Sequence, residues 1–81
     1  NRLVPAADVE TTAHALAVRL ADGPTRSLGQ AKRLYRRSLE CDMRTAFAEE
    51  TAAATMLTTT HDRTEGVQSF IERRPAVFTG D

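Results

Sequence analysis

Thr60-His61-Asp62-Arg63-Thr64-Glu65-Gly66-Val67-Gln68-Ser69-Phe70-Ile71-Glu72-Arg73-Arg74-Pro75-Ala76-Val77-Phe78 is the stretch that decides the fold. It has the features of one short helix with both ends marked. Asp62 is a capping residue type, and Glu65 stands three positions on, where its carboxylate can reach back to the cap. Val67, Phe70 and Ile71 fall on one face at helical spacing. Arg73 and Arg74 put positive charge at the negative end of the helix dipole, and Pro75 stops the helix. This pattern predicts a helix over 62–74 and a tail over 75–81 anchored by Val77 and Phe78.

Toward the N-terminus the same signals recur. Leu3-Val4-Pro5 is extended, because the residue before proline avoids the helical region; residues 1–7 are a lead-in. A first helix is predicted over 8–21, with Asp8 as its cap and Val9, Ala13, Leu16, Ala17 and Leu20 as its apolar stripe. Gly23 is placed to take a left-handed cap position, and Pro24 opens a second helix over 24–37. Leu28, Ala31, Leu34 and Tyr35 line one side of it; Arg26, Lys32, Arg33, Arg36 and Arg37 line the other. Ser38 is positioned to cap a third helix over 39–57, with Leu39, Met43, Phe47, Ala54 and Leu57 facing inward. Propensity leaves open whether the second and third helices are separate or one bent helix. Thr58-Thr59-Thr60 ends the third, since β-branched residues fit a helix poorly. There is no alternating strand pattern past the first few residues and no internal repeat. The chain reads as all-α, with three to four helices.

Size and composition narrow the function classes. Eighty-one residues make one small domain or part of a larger protein. At this length folding buries only about 60% of the unfolded surface. The aromatic side chains are few (Tyr35, Phe47, Phe70 and Phe78), and much of the apolar content is alanine. Such a chain gains stability by docking on something larger or on copies of itself. Eleven basic residues balance eleven acidic ones, so no global charge draws it to nucleic acid or to an anionic membrane. Cys41 is the only cysteine, which fits a reducing, cytoplasmic setting. No apolar run approaches the roughly 20 residues that span a bilayer. The sequence opens on Asn1 without an initiating methionine, which reads as a start inside a longer protein.

The 60–78 stretch resembles the C-terminal signature of the enoyl-CoA hydratase/isomerase (crotonase) family, Thr-x-Asp-x-x-Glu-Gly-x-x-(Ala/Ser)-Phe-x-Glu-(Lys/Arg)-Arg-x-x-x-Phe. Asn1-Arg2-Leu3-Val4-Pro5 is similar to the family's lead-in, and Ala15-Leu16-Ala17 through Gly23-Pro24 to its Ala-x-x-Leu-Ala-x-Gly-Pro segment. Leu28 with Lys32, and Leu39-Glu40 followed by Glu49 or Glu50, match looser patterns in the same order. The resemblance spans essentially the whole chain. It implies the helical trimerisation and lid region of a crotonase-like protein, with the catalytic core domain absent from the chain. Catalytic residues are therefore expected outside it: backbone N–H groups forming an oxyanion hole and one or two carboxylates for proton transfer. The chain alone is expected to be inactive. The implied substrate is an acyl-CoA thioester, with hydration of a 2-enoyl-CoA as the simplest chemistry. Coenzyme A is then part of the substrate, no separate cofactor is implied, and the partner is another subunit in a trimer or dimer of trimers.

The resemblance implies two coenzyme A contacts: Phe70 matches a family phenylalanine at the adenine end, and Arg73 a family lysine or arginine at a phosphate. An aromatic face stacks on adenine, and a guanidinium binds phosphate through two hydrogen bonds. Each has a plain alternative. Phe70 also fits a helix core position, and Arg73 a solvated cation in the last helical turn. Arg74 reads as structural. The basic run of the second helix also has two readings, a nucleic-acid stripe or a face paired with Glu40, Asp42, Glu49 and Glu50, and the latter is preferred. Glu49 and Glu50 point about 100° apart on a helix, so they do not converge on one substrate atom. His14, His61 and Cys41 lack metal-ligand spacing, and no metal is expected. The alternative function is a stand-alone helical protein-interaction module without catalytic activity.

Overall fold

Asp42 and Thr60 side chains set the starts of the last two of four helices in the computed structural model, which describes residues 2–81; Asn1 of the expected lead-in lies outside them. A single 3-10 turn, Ala6–Asp8, leads into α1, Val9–Ala21; α2 is Thr25–Ser38, α3 Met43–Leu57 and α4 His61–Glu72. No strand occurs among the described residues. The all-α expectation holds, with four helices.

Each boundary has a local cause, and several differ from expectation. Asp8 makes no side-chain cap bond; the 3-10 turn hands over instead, with Val9 N–H donating to the Ala6 carbonyl. Gly23 does not take a left-handed conformation, which among the described residues belongs to Arg73 and Gly80. Gly23 instead permits a close approach: a Cβ there would lie 3.2 Å from Leu28 Cδ1 and 3.3 Å from the Leu20 carbonyl oxygen. Ser38 does not start the third helix. It closes the second, its hydroxyl donating to the Tyr35 carbonyl at 2.8 Å. Asp42 is the true cap of α3, accepting from Thr45 N–H at 2.9 Å, so α2 and α3 are separate helices joined by 39–42. That hydrogen bond also lowers the Asp42 carboxyl below the usual carboxylate range. At the far end of α3, Thr58 and Thr60 hydroxyls donate to the Thr55 and Leu57 carbonyls, satisfying acceptors the helix leaves open.

α2 packs along α3, and α1 leans on α2. Arg33 and Arg37 both reach Glu49 across the α2–α3 seam, at 3.2 and 3.0 Å. The seam leaves an open groove of about 330 Å³ lined by Ala31, Leu34, Tyr35, Cys41 and Ala46. The helices do not close around an apolar centre. Ala53 is the only buried hydrophobic residue among those described, whereas Thr60, Asp62 and Ser69 are buried polar ones. The expected inward stripe of α3 is largely outward: Leu39, Met43 and Phe47 are exposed. Periodicity put them on a common side, but nothing within the described residues covers it. The molecule measures 43 × 38 × 19 Å with a radius of gyration of 15.8 Å, where a compact chain of this length would have about 12 Å. It is an open helical layer whose apolar side chains face outward.

Candidate coenzyme A contact site at the end of α4

The two candidate residues sit where α4 gives way to the tail, and the tail's path determines how they are presented. Thr60, not Asp62, caps α4: its hydroxyl accepts from Arg63 N–H at 3.2 Å. The expected capping box is therefore absent, and the two carboxylates do other work. Asp62, only 3% exposed, accepts Thr79 N–H at 2.7 Å and Gly80 N–H at 2.9 Å. Its own N–H donates to the Asp81 carbonyl at 2.9 Å. Glu65 accepts Val77 N–H at 2.8 Å and a two-pronged pairing from Arg74, at 2.6 and 2.8 Å. Asp62 and Glu65 lie three residues apart, on one side of the helix, and the tail runs back along that side. Phe78 lies over Gly66, where a Cβ would be 3.7 Å from its ring. Gly80 also accepts through its carbonyl from the Thr25 hydroxyl at 3.2 Å, so the tail is fixed between α4 and the start of α2.

The helix ends earlier than Pro75 would require. Its last residue is Glu72, and Arg73 turns left-handed at φ 54°. Arg74 N–H donates to the Ser69 carbonyl and Arg73 N–H to the Phe70 carbonyl, at 3.0 and 3.3 Å, the paired closing bonds of a Schellman turn. The two arginines expected in the last helical turn both lie beyond it, and they diverge. Arg74 is fully engaged, bonded to Glu65, to Glu72 and to the Pro75 carbonyl. Arg73 is exposed, and its guanidinium makes no hydrogen bond or ion pair among the described residues. Phe70 is 84% exposed, so the core alternative for this ring fails within the chain. The Arg74 guanidinium, then the Val77 N–H, hold the Glu65 carboxyl at about 2, and Glu65 in turn raises Arg74 above the ordinary guanidinium value. The Glu65–Arg74 latch is therefore charged throughout the neutral range.

The described residues contain no helix long and apolar enough to cross a membrane. His61, Asp62 and Asp81 bring potential ligand atoms within 4.8 Å of one another. Both Asp62 oxygens already accept tail N–H groups, so the cluster is accounted for as a tail anchor.

Comparison with known proteins matches this arrangement along its whole length. The family profile for enoyl-CoA hydratase/isomerase matches residues 1–81. This chain belongs to the enoyl-CoA hydratase/isomerase family. A Rhodobacter capsulatus protein described as a probable enoyl-CoA hydratase is 35% identical over 77 residues, covering 95% of this chain and 30% of that protein. Among solved structures, the Geobacillus kaustophilus enoyl-CoA hydratase superposes with a TM-score of 0.94 at 25% identity, covering all of this chain and 31% of its own. The Bacillus anthracis enoyl-CoA hydratase superposes with a TM-score of 0.85 at 28% identity, covering 96% of this chain and 30% of its own. The chain thus spans about 30% of the length of these relatives in the enoyl-CoA hydratase/isomerase family. The tail latch and the freed Arg73 are features that sequence pattern alone did not show. The spacing of Asp62, Glu65 and Arg74 was the available signal, and local capping rules explained it in another way.

Proposed function

We propose that these helices form the C-terminal part of a cytoplasmic enzyme that hydrates 2-enoyl-CoA thioesters, and that they supply subunit contacts and one wall of the coenzyme A site. In this reading the oxyanion hole and the proton-transferring carboxylates lie outside the 81 residues. Phe70 stacks on the adenine, and Arg73 takes a coenzyme A phosphate. One observation carries the reading: of two adjacent arginines, Arg74 is paired with Glu65 and Glu72, while Arg73 has no side-chain partner among the described residues and its N–H donates to the carbonyl of Phe70, whose ring is exposed. A guanidinium and an exposed aromatic ring presented three residues apart suit a ligand that offers phosphate and a purine together. The outward apolar side chains of α2–α4 suit burial against further protein, which supports the oligomeric reading.

The test compares two substrates in the enzyme that carries these helices. Crotonyl-CoA offers the phosphates and adenine; crotonyl-pantetheine lacks both. Phe70→Ala and Arg73→Ala should raise KM for crotonyl-CoA with little change in kcat, the pattern of weakened uniform binding, and leave crotonyl-pantetheine kinetics unchanged. Equal effects on both thioesters, or none on either, would remove these residues from the site. The isolated 81-residue chain should show no crotonyl-CoA hydration above buffer.

A further inference from the structure

The left-handed turn at Arg73 is unusual for its residue type. A non-glycine residue at φ 54° costs roughly 1–2 kcal/mol and persists only where its surroundings enforce it. Here the enforcement is visible. Arg74 pairs with Glu72, so an ion pair closes directly across Arg73. Arg74 is then drawn back onto α4 by Glu65, which also takes the Val77 N–H and so fixes the chain on the far side of the turn. The residues flanking Arg73 are tied down, and Arg73 is left projecting with no partner among the described residues.

We infer that Glu65 is a positioning residue: by latching Arg74 and Val77 to α4 it holds Arg73 in the left-handed turn and aims its guanidinium at a phosphate of the acyl-CoA. This rests on the ligand reading above and adds to it a residue that does not itself touch the ligand. Without the latch, Arg73 can relax toward an ordinary helical or extended conformation, and its head group loses its fixed direction. The strain then has a use, since orientation is provided before the ligand arrives.

The experiment uses Glu65→Gln, Arg73→Ala and the double variant in the enzyme that carries this chain, with crotonyl-CoA and crotonyl-pantetheine as substrates. Glu65→Gln should raise KM for crotonyl-CoA about three- to tenfold, the net worth of one ordinary hydrogen bond, with kcat and the crotonyl-pantetheine KM unchanged. In the Arg73→Ala background the same substitution should add nothing, because Glu65 acts through Arg73. Arg74→Lys, which keeps the charge and gives up the two-pronged geometry, should give a smaller rise in the same constant and serves where Glu65→Gln lowers the yield of folded enzyme. Full additivity in the double variant, or parallel losses on both thioesters, would overturn the latch. A large effect of Arg73→Ala with none from Glu65→Gln or Arg74→Lys would overturn the latch alone. No effect from Arg73→Ala would overturn the phosphate reading and the latch together.

Discussion

Asp62 accepts the Gly80 N–H at 2.9 Å, joining the first turn of α4 to the chain's penultimate residue across 18 positions. Gly80 is the residue this hydrogen bond needs. It sits at φ 91°, and a Cβ there would lie 2.9 Å from Thr25 Oγ1, the same hydroxyl that donates to its carbonyl. Gly80→Ala therefore meets two obstacles at once. The expected cost is about 1–2 kcal/mol for the left-handed conformation. The added methyl group also pushes the Thr25 hydroxyl away from the carbonyl it now donates to. Because a few hydrogen bonds rather than a packed core hold the tail, the effect should appear as local release rather than global unfolding. Hydrogen exchange at the Val77 and Thr79 amides should quicken strongly, while amides in the middle of α3 keep wild-type rates.

Removing the acceptor tests the same anchor from the other side. Asp62→Ala removes the buried carboxylate that accepts the Thr79 and Gly80 N–H groups. Hydrogen bonds to a charged acceptor are worth about 1.5–3 kcal/mol each, so this variant should be more damaging than Asp62→Asn, which keeps one acceptor oxygen. Thermal unfolding midpoints falling in the order wild type, Asn, Ala are expected; an Asn variant no better than Ala would show that the carboxylate's charge, not its hydrogen bonding, holds the tail.

Glu65 makes stability depend on acid. Its carboxyl titrates at about 2 in the folded chain against an ordinary 4.5, chiefly through Arg74 and secondly through the Val77 N–H. The folded state binds a proton less readily than the unfolded one, so the contribution is complete above about pH 4.5 and falls away as pH drops from there through 2. Glu65→Gln should lower the urea midpoint at pH 6, and the gap from wild type should narrow steadily between pH 4.5 and 2. A gap that stays constant over that window would mean the ion pair contributes nothing that titrates.

Much of this architecture was legible in the sequence because helix signals are local. Pro24 and the Thr58–Thr60 run lie at real boundaries, and the apolar spacings, Leu39 apart, fall within real helices. What escaped was decided over distance. Asp62 and Glu65 satisfy the capping-box pattern as well as the tail-anchor pattern, and only the returning tail, 12 to 18 residues away, selects between them. Thr60 then takes the cap. Arg73 and Arg74 are indistinguishable as adjacent cations; their separation into a free and a locked guanidinium among the described residues depends on the turn between them. Likewise, periodicity grouped Leu39, Met43 and Phe47 but carries no information about what covers them.

Replacing the strained residue should stabilise the fold and weaken the site together. Arg73→Gly removes a left-handed penalty of about 1–2 kcal/mol and gives back about 0.4–1 kcal/mol through the greater freedom of the unfolded chain. The net expectation is a modest rise in unfolding midpoint. The same change deletes the unpaired guanidinium, so KM for crotonyl-CoA should rise as it does for Arg73→Ala. A variant that is both more stable and weaker for the coenzyme A thioester would mark position 73 as one where conformational cost was retained for binding. Loss of stability instead would show that the Arg73 side chain contributes to the fold.

The outward apolar faces predict how the 81-residue chain behaves alone. Phe47, Met56, Phe70 and Ile71 are all exposed, and burying each would gain about 1.5–3 kcal/mol. With one apolar residue buried among those described, internal packing supplies little of what folding requires. The isolated chain should therefore bind a hydrophobic dye such as ANS and associate as its concentration rises. Light scattering over roughly a tenfold concentration range, with dye fluorescence in parallel, measures both. A monomer that unfolds cooperatively and leaves the dye dark would show that these helices close over their own apolar side chains in solution, and would return the chain to the class of self-sufficient helical modules.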